Sequence, residues 1–182
     1  ETSRLEEISV IQPTLFAVQV ALAAVWRSWG VEPGAVIGHS MGEVAAACVA
    51  GALSLEEAAQ VICVRSRLMQ EISGQGAMLV VDLPLDAAQA AAAPYPGVSA
   101  AVSNSRRSTV LSGDPPALEA LEAQFKTQEI FCRFVKVDVA AHSPQMDPLR
   151  PRLEAALSNL RPAAAAVPVI STVTGAPIAS GE

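Results

Sequence analysis

The first regular pattern along the chain is that of a helix. Apolar side chains recur three or four residues apart, as on one helical face, at Leu15, Val18, Leu22, Val25 and Trp29. We therefore predict a helix over residues 12–29, with Pro13 in its first turn. A second helix is predicted from Ser54 to about Met69, because Ser54 and Glu57 have the spacing of a capping box.

Between these two helices the pattern is that of a strand, a tight turn and a short helix. The apolar residues 35–37 are followed at once by Gly38-His39-Ser40-Met41-Gly42, and small side chains then dominate residues 43–50. A strand that feeds a helix in this way is typical of a parallel α/β sheet.

Shorter elements replace the helices after Gly76. Strands are predicted over residues 77–82, 98–104, 108–112 and 130–138, and helices over residues 85–93 and 115–127. The resulting order, βαββαβ, is that of a small ferredoxin-like lobe. Further along, we predict a helix over residues 148–160 and a strand over residues 167–173.

The predicted fold class is therefore α/β, with one large and one small subdomain. Residues 1–73 would form the first part of an α/β-hydrolase-like subdomain with a parallel sheet and a nucleophile elbow. Residues 74–138 would form the inserted ferredoxin-like subdomain, and residues 139–182 would return to the large one.

The composition narrows the class of function. Of 182 residues, 51% are hydrophobic and 16% are charged, as in a globular protein. A formal net charge of -6 with 12 Lys plus Arg, and no basic stripe, argues against a nucleic-acid surface. Cys48, Cys63 and Cys132 have no C-x-x-C spacing and lie in apolar runs, so we expect buried thiols in a reducing, cytoplasmic compartment.

Neither a membrane helix nor a signal peptide is predicted. No apolar run approaches the roughly 18 residues that indicate a membrane span. The first four residues contain no initiator Met and no signal-peptide pattern. We therefore expect part of a longer polypeptide that does not enter a membrane.

The segment Gly38-His39-Ser40-Met41-Gly42 matches G-x-S-x-G, the nucleophile-elbow motif. In such a turn the serine hydroxyl projects from a strained connection, and glycines at both ends allow backbone segments to approach closely. We expect Ser40 to be a nucleophile and the Met41 backbone N–H, at the helix N-terminus, to stabilise an oxyanion. The alternative is a glycine-rich turn with an incidental serine.

A serine nucleophile needs a base, and the chain has two histidines. His39 lies beside Ser40 in the turn, so its side chain should point away from the hydroxyl, in a structural role or along the wall of a substrate pocket. His142 follows the last strand of the small lobe, from where it could reach Ser40 across a cleft. A structural role for His142 is the alternative.

Arg65 is a candidate anion-binding residue, because apolar neighbours surround it in its predicted helix. It would hold a substrate carboxylate bidentately, or form an internal ion pair with a glutamate such as Glu43. Gln12 and Asn104 lie near the ends of predicted elements, where they would line a pocket or cap those elements.

Four segments match one protein family in order and spacing. They are Gln12-Pro13-Thr14-Leu15-Phe16-Ala17, Gly38-His39-Ser40-Met41-Gly42-Glu43, Arg65-Ser66-Arg67-Leu68 and Ala140-Ala141-His142-Ser143. Over nearly the whole chain they resemble the malonyl-CoA:acyl carrier protein acyltransferase family, especially the acyltransferase domains of modular polyketide synthases. The resemblance implies Ser40 as acylated nucleophile, His142 as general base and acid, Arg65 as clamp for a malonyl carboxylate, and the Met41 N–H as oxyanion donor.

The resemblance also implies a ping-pong reaction without a metal or a permanently bound cofactor. The acyl group of malonyl-CoA or methylmalonyl-CoA would pass to the serine, and then to the phosphopantetheine thiol of an acyl carrier protein. The implied partners are that carrier protein and the neighbouring ketosynthase and other synthase domains.

Selectivity within the family depends on the residues that end in the histidine, here Val139-Ala140-Ala141-His142. Malonyl-selective members resemble H-A-F-H at these positions, and methylmalonyl-selective members resemble Y-A-S-H. A Phe at position 141 would fill the space of an α-methyl group, whereas Ala141 leaves it open. We therefore expect Val139 and Ala141 to line the acyl pocket, and methylmalonyl is favoured.

Two other functions fit parts of the same pattern. A serine hydrolase of the esterase or thioesterase kind would share the G-x-S-x-G turn and a Ser–His pair. A docking platform for the carrier protein and neighbouring domains would need neither, and its serine would be idle.

Overall fold

The computed structural model describes residues 3–178. In chain order the elements are α1 (Ile8–Ser28), β1 (Val36–Ile37), α2 (Gly42–Val49), α3 (Leu55–Gln70), β2 (Ala77–Val81), α4 (Leu85–Ala92), β3 (Val98–Ser105), β4 (Ser108–Gly113), α5 (Pro115–Thr127), β5 (Cys132–Phe134), a 3-10 helix (Pro144–Leu149), α6 (Arg150–Ala156) and β6 (Val169–Ile170). A parallel sheet and a separate antiparallel sheet are both present, so the predicted α/β fold class is confirmed.

The chain divides into two units. The first contains the residues up to Gln70 and those from Arg152 onward, and the second is Glu71–Pro151. The sequence-based division places its boundaries at 73/74 and 138/139 instead. Segment 139–151, which carries His142, therefore belongs to the second unit in the structure.

In the first unit, three helices pack beside a short parallel sheet. Strands β1 and β6 pair in register, Val36 with Val169 and Ile37 with Ile170. The small buried core between α1, α2 and α3 is formed by Phe16, Ala45, Ala58 and Ile62. The alanines allow α2 to lie close to its neighbours, as its composition predicts. The predicted strand over residues 167–173 is reduced to the two residues of β6.

Helix α1 differs from its prediction at its start and in the face it buries. It begins at Ile8, which places Pro13 inside the helix and not in the first turn. Ile8 and Phe16 are only 6% and 4% exposed, whereas Leu22 and Trp29 of the predicted apolar face are 55% and 68% exposed. Apolar residues occur all around this helix, so their spacing alone could not identify the buried side.

Helix α1 is also long and apolar enough to cross a membrane, which corrects the expectation from the sequence. An 18-residue window in it has a mean hydropathy of 1.8, with 11% of the window buried. Gln12 and Gln19 interrupt the apolar run, so the criterion of an uninterrupted run missed it. The core helix of a water-soluble protein and a signal sequence near an N-terminus pass the same test, so this helix is weak evidence for a membrane span.

The second unit has the predicted ferredoxin-like order β2-α4-β3-β4-α5-β5. Its sheet has the strand order β3-β4-β2-β5, and each neighbouring pair is antiparallel. Alternate strand residues, among them Leu79 and Leu111, face α4 and α5. These two residues and three from α5 are at most 1% exposed, namely Leu118, Leu121 and Phe125. This core belongs to the second unit alone.

Two predicted elements of this unit end elsewhere. Strand β5 is shorter than the predicted 130–138, although the Val135 N–H still donates to the Met78 carbonyl at 2.9 Å. The predicted helix over 148–160 is a 3-10 helix followed by α6, which ends at Ala156. Pro151 lies in the first turn of α6, and proline there loses no helical hydrogen bond and favours a helix start, which accounts for an α-helix that begins only at Arg150.

Candidate active site

The elbow lies between β1 and α2 in the first unit. Ser40 has φ 53°, in the left-handed region, which costs a residue with a Cβ about 1–2 kcal/mol. The N–H groups of Gly42 and Glu43 donate to the carbonyls of His39 and Ser40 at 2.9 and 3.0 Å. Helix α2 therefore begins directly after the serine, as the motif predicts.

The two glycines of the motif differ in the space around them. A Cβ on Gly38 would overlap the Gly42 carbonyl and the Glu43 N–H. Among the described residues, a Cβ on Gly42 would meet only Gln19 Nε2 at 3.9 Å, an ordinary contact. The expectation that both glycines permit a close backbone approach is therefore confirmed for Gly38 and wrong for Gly42.

The backbone beside the serine is suited to an anion. Met41 is the N-cap of α2, and within residues 3–178 its N–H donates to no acceptor. Ser40 itself is half-buried, whereas His39 is exposed. A cavity of about 450 Å³ borders the elbow at Gly38, His39 and Gly42. The turn thus combines a hydroxyl, an available N–H and the N-terminal end of a helix dipole.

Arg65, in α3, is held by Gln12 of α1. The Arg65 Nη1 donates to Gln12 Oε1 at 2.5 Å, and Gln12 Nε2 lies 3.7 Å from Met69 Sδ. Gln12 thus orients the guanidinium and does not cap a helix. The capping box of the same helix is present, since the Ser54 N–H donates to Glu57 Oε2 at 2.9 Å and the Glu57 N–H to Ser54 Oγ at 3.1 Å.

The charge of Arg65 is not balanced by a carboxylate in the described part of the chain. The ion pairs found among residues 3–178 do not include it. Glu43, the alternative partner, accepts instead from Thr172 Oγ1 at 2.9 Å. Burial lowers the pKa of Arg65, but an arginine remains charged near neutral pH. A half-buried cation with free N–H groups is suited to an anionic ligand.

The other predicted site residues lie in the second unit. His142 is exposed and has φ 60°, so it too adopts the left-handed region. Val139 is 2% exposed, and Ala141 is half-buried. Asn104 is exposed near the end of β3 and caps no helix.

Sequence reasoning missed the residues that hold the segment before His142. Ser112 Oγ donates to the Ala141 carbonyl, and Ser143 Oγ donates to the Ala140 carbonyl, each at 2.7 Å. Ser143 adjoins the histidine and could have been noticed there. Ser112 lies far from it in the chain, and no local signal marks it.

The described residues hold no group of three or more His, Cys, Asp or Glu side chains suited to a metal. Cys48, Cys63 and Cys132 are free and half-buried. Burial raises the pKa of the Cys48 and Cys132 thiols, which keeps them protonated and poorly nucleophilic. These two thiols are therefore weaker nucleophile candidates than Ser40, which lies in the G-x-S-x-G turn.

A sequence profile for the acyl transferase domain matches residues 1–182. The chain belongs to the acyl transferase domain family. This acyltransferase domain is 51% identical to the spectinabilin polyketide synthase system protein NorA' of Streptomyces orinoci, over 98% of the chain and 5% of that protein. The resemblance inferred from the sequence is thereby confirmed.

Solved structures of the same family superimpose closely on the acyltransferase domain. The acyltransferase domain from module 8 of the salinomycin polyketide synthase matches with a TM-score of 0.94 and 42% identity, over 97% of this chain and 42% of that one. The malonyl CoA-acyl carrier protein transacylase of Coxiella burnetii matches with a TM-score of 0.90 and 32% identity, over 96% of this chain and 58% of that one.

The acyltransferase domain spans about 5% of the length of NorA'. What the whole protein does is therefore a matter for proposal. Within the site, Arg65 and Gln12 are in direct contact, and Ser40 and Met41 are neighbours in the turn. The pairing of Ser40 with His142 stays a prediction.

Proposed function

We propose that this domain transfers a malonyl-type acyl group, with a preference for methylmalonyl, from coenzyme A to the phosphopantetheine thiol of an acyl carrier protein. The acyl group passes through an ester on Ser40. The observation that carries the proposal is the left-handed backbone of Ser40 between β1 and α2, which is the geometry that exposes the hydroxyl of a nucleophile elbow. The name of the Coxiella relative supports the same reaction class.

In the first half-reaction, His142 takes the proton of the Ser40 hydroxyl while Oγ attacks the thioester carbonyl carbon. The Met41 N–H donates to the oxyanion that forms, and the α2 dipole adds to this stabilisation. The C–S bond then breaks, and the CoA thiol leaves with the proton that His142 returns.

The second half-reaction repeats these steps with another nucleophile. The phosphopantetheine thiol gives its proton to His142 and attacks the ester carbonyl of acyl-Ser40. The ester C–O bond breaks, and Ser40 Oγ recovers a proton from His142. The acyl group leaves on the carrier protein, and the enzyme returns to its starting state without a net change in protons.

Arg65 would bind the free carboxylate of the extender unit. Gln12 accepts from only one guanidinium nitrogen, so the others can donate to a carboxylate in a bidentate manner. The half-buried position strengthens this interaction, because less water competes for the charge. An acetyl group, which has no carboxylate, would gain nothing from Arg65.

The preference for methylmalonyl rests on Ala141 and Val139. A small side chain at 141 leaves room for an α-methyl group that a Phe would exclude. One methyl group in an apolar pocket is worth about 1–3 kcal/mol of discrimination. We thus expect a graded preference and not an absolute one.

The proposed partners follow from the polyketide synthases to which relatives belong. They are an acyl carrier protein and the neighbouring ketosynthase and other synthase domains, in the cytoplasm. The proposal includes no metal and no permanently bound cofactor.

The test is a competition assay with the complete protein. Malonyl-, methylmalonyl- and acetyl-CoA are supplied together with phosphopantetheinylated carrier protein, and both acyl-carrier protein and free acids are measured by mass spectrometry. We expect methylmalonyl on the carrier protein. Free acid in place of acylated carrier protein would indicate a hydrolase, and no turnover at all would indicate a docking platform.

A further inference from the structure

The segment before His142 is held firmly within the second unit. Val139 and Ala140 are 2% and 0% exposed. A Cβ on Gly76 would overlap the Ala140 backbone, so the two segments are in close contact. The N–H groups of Gly74 and Gly76 also donate to the Asp138 carbonyl at 2.8 and 3.3 Å.

Ser112 makes the contact nearest to the histidine. It is 0% exposed on β4, and its Oγ donates to the Ala141 carbonyl at 2.7 Å. That carbonyl and the His142 N–H belong to the same planar peptide group. Rotation of this plane about the next N–Cα bond is the φ angle of His142. The Ser112 hydroxyl therefore fixes the group whose orientation sets φ at 60°.

The other side of the histidine is held separately. Ser143 Oγ donates to the Ala140 carbonyl at 2.7 Å and accepts from the Gln145 N–H at 3.2 Å. Gln145 Nε2 in turn donates to Asp114 Oδ1 at 2.6 Å. These contacts anchor the chain after His142, so Ser112 is the sheet residue that acts on the peptide before it.

We propose that Ser112 is a positioning residue that holds the His142 backbone in the left-handed region and thereby gives the imidazole a fixed direction. This conformation carries an energetic cost for a residue with a Cβ, so a contact that fixes the preceding peptide group helps to maintain it. The inference rests on the proposed role of His142 as the base. Ser112 touches no reacting atom and acts only through the histidine loop.

The test compares threonine with valine at position 112 in the complete protein. The two side chains have nearly the same shape, and only threonine keeps the hydroxyl. We expect Ser112→Thr to retain transfer activity within a few-fold, and Ser112→Val to lose about 10- to 100-fold in kcat because its base is misplaced. KM for the acyl-CoA should stay unchanged, because Arg65 and Gln12 are untouched.

Thr109→Val is the matched control. Thr109 lies on the same strand, is also 0% exposed, and donates from Oγ1 to the Leu83 carbonyl at 2.9 Å. The Thr109→Val variant loses a similar buried hydrogen bond that lies away from the histidine loop, so its kcat should equal that of the wild type. Equal losses in Thr109→Val and Ser112→Val would mean that the hydroxyl only supports the fold, and would overturn the proposal.

Hydrogen–deuterium exchange of the peptide containing residues 139–145 gives a readout that does not need activity. Exchange should accelerate in Ser112→Val and not in Thr109→Val or Ser112→Thr. Unchanged exchange in Ser112→Val would refute the positioning role even if activity falls. Ser112→Ala, which adds no volume, must give the same results if valine prevents folding. Failure of the proposed function is distinct: the wild type would then transfer no acyl group, whatever the exchange shows.

Discussion

The elbow at Ser40 and the loop at His142 both hold a residue with a Cβ in the left-handed region, at φ 53° and 60°, but by different means. At the elbow the close contact lies within the motif, where Gly38 packs on the backbone of the next turn. At the loop the contacts come from distant parts of the chain, including Ser112 and Gly76. The strained backbone of the proposed nucleophile can thus be encoded locally, whereas the support of the proposed base is encoded by the tertiary fold.

Replacing Gly38 of the elbow should have the largest effect on acyl transfer. In Gly38→Ala the new Cβ overlaps the Gly42 carbonyl, so Ser40 must move, and acylation should fall by about a hundredfold or more. Gly42→Ala is the matched control, because its Cβ has space and alanine favours the helix. The rate of acyl transfer is measured for both. Equal losses would show that the local contact at Gly38 does not set the elbow.

Removing the cation of the same unit should have the next largest effect. Arg65→Ala should lower kcat/KM for malonyl- and methylmalonyl-CoA by about 10- to 100-fold, since hydrogen bonds to charged groups contribute about 1.5–3 kcal/mol. Transfer of acetyl should change little. Arg65→Lys keeps the charge and loses bidentate geometry, so its kcat/KM for methylmalonyl-CoA should lie between those of the wild type and Arg65→Ala. An equal loss for acetyl-CoA and methylmalonyl-CoA would contradict the clamp.

A variant of the α3 capping box tests whether a local motif other than the elbow stabilises the first unit. Ser54→Ala should lower the free energy of unfolding by about 1 kcal/mol, measured in urea. Ser28→Ala removes a hydroxyl that bonds to the Val25 carbonyl at 2.7 Å in α1 and is no N-cap, so its effect should be smaller. A larger effect for Ser28→Ala would contradict the capping role.

The same capping box predicts a pH dependence. The backbone N–H of Ser54, and then that of Arg161, lower the pKa of Glu57. Because the folded pKa lies below the unfolded one, the stabilisation is complete above the unfolded value of about 4.3 and is lost as the pH falls through the folded value. The stability difference between wild type and Glu57→Gln should therefore shrink in acid. A difference that grows in acid would reverse this assignment.

The smallest expected change in the free energy of unfolding concerns the left-handed backbone itself. Glu129, after α5, also has a left-handed backbone, with φ 57°, and no part in the proposed chemistry. Glycine relieves such strain but raises the entropy of the unfolded chain, so Ser40→Gly, His142→Gly and Glu129→Gly should each change the free energy of unfolding by only about 0.5 kcal/mol, toward stability. Transfer should be lost in Ser40→Gly, strongly slowed in His142→Gly and kept in Glu129→Gly.

Features that depend on short spacings in the sequence could be predicted, and features that depend on tertiary contacts could not. The elbow, the capping box and the βαββαβ order depend on short spacings, and all three are present in the structure. The buried face of α1 depends on its neighbours, so the periodicity of Leu22 and Trp29 pointed to residues that are exposed. Ser112 acts on a segment remote in the chain, and only the folded sheet brings its hydroxyl to Ala141.

The central claim is that Ser40 carries the acyl group after His142 has taken its proton. The direct measurement is the mass of the peptide containing Ser40 after a brief reaction of the complete protein with methylmalonyl-CoA, in the wild type, Ser40→Ala and His142→Ala. We expect an acylated Ser40 peptide in the wild type, none in Ser40→Ala, and slow formation in His142→Ala. Acylation elsewhere in Ser40→Ala at the wild-type rate, or an undiminished rate in His142→Ala, would contradict the account.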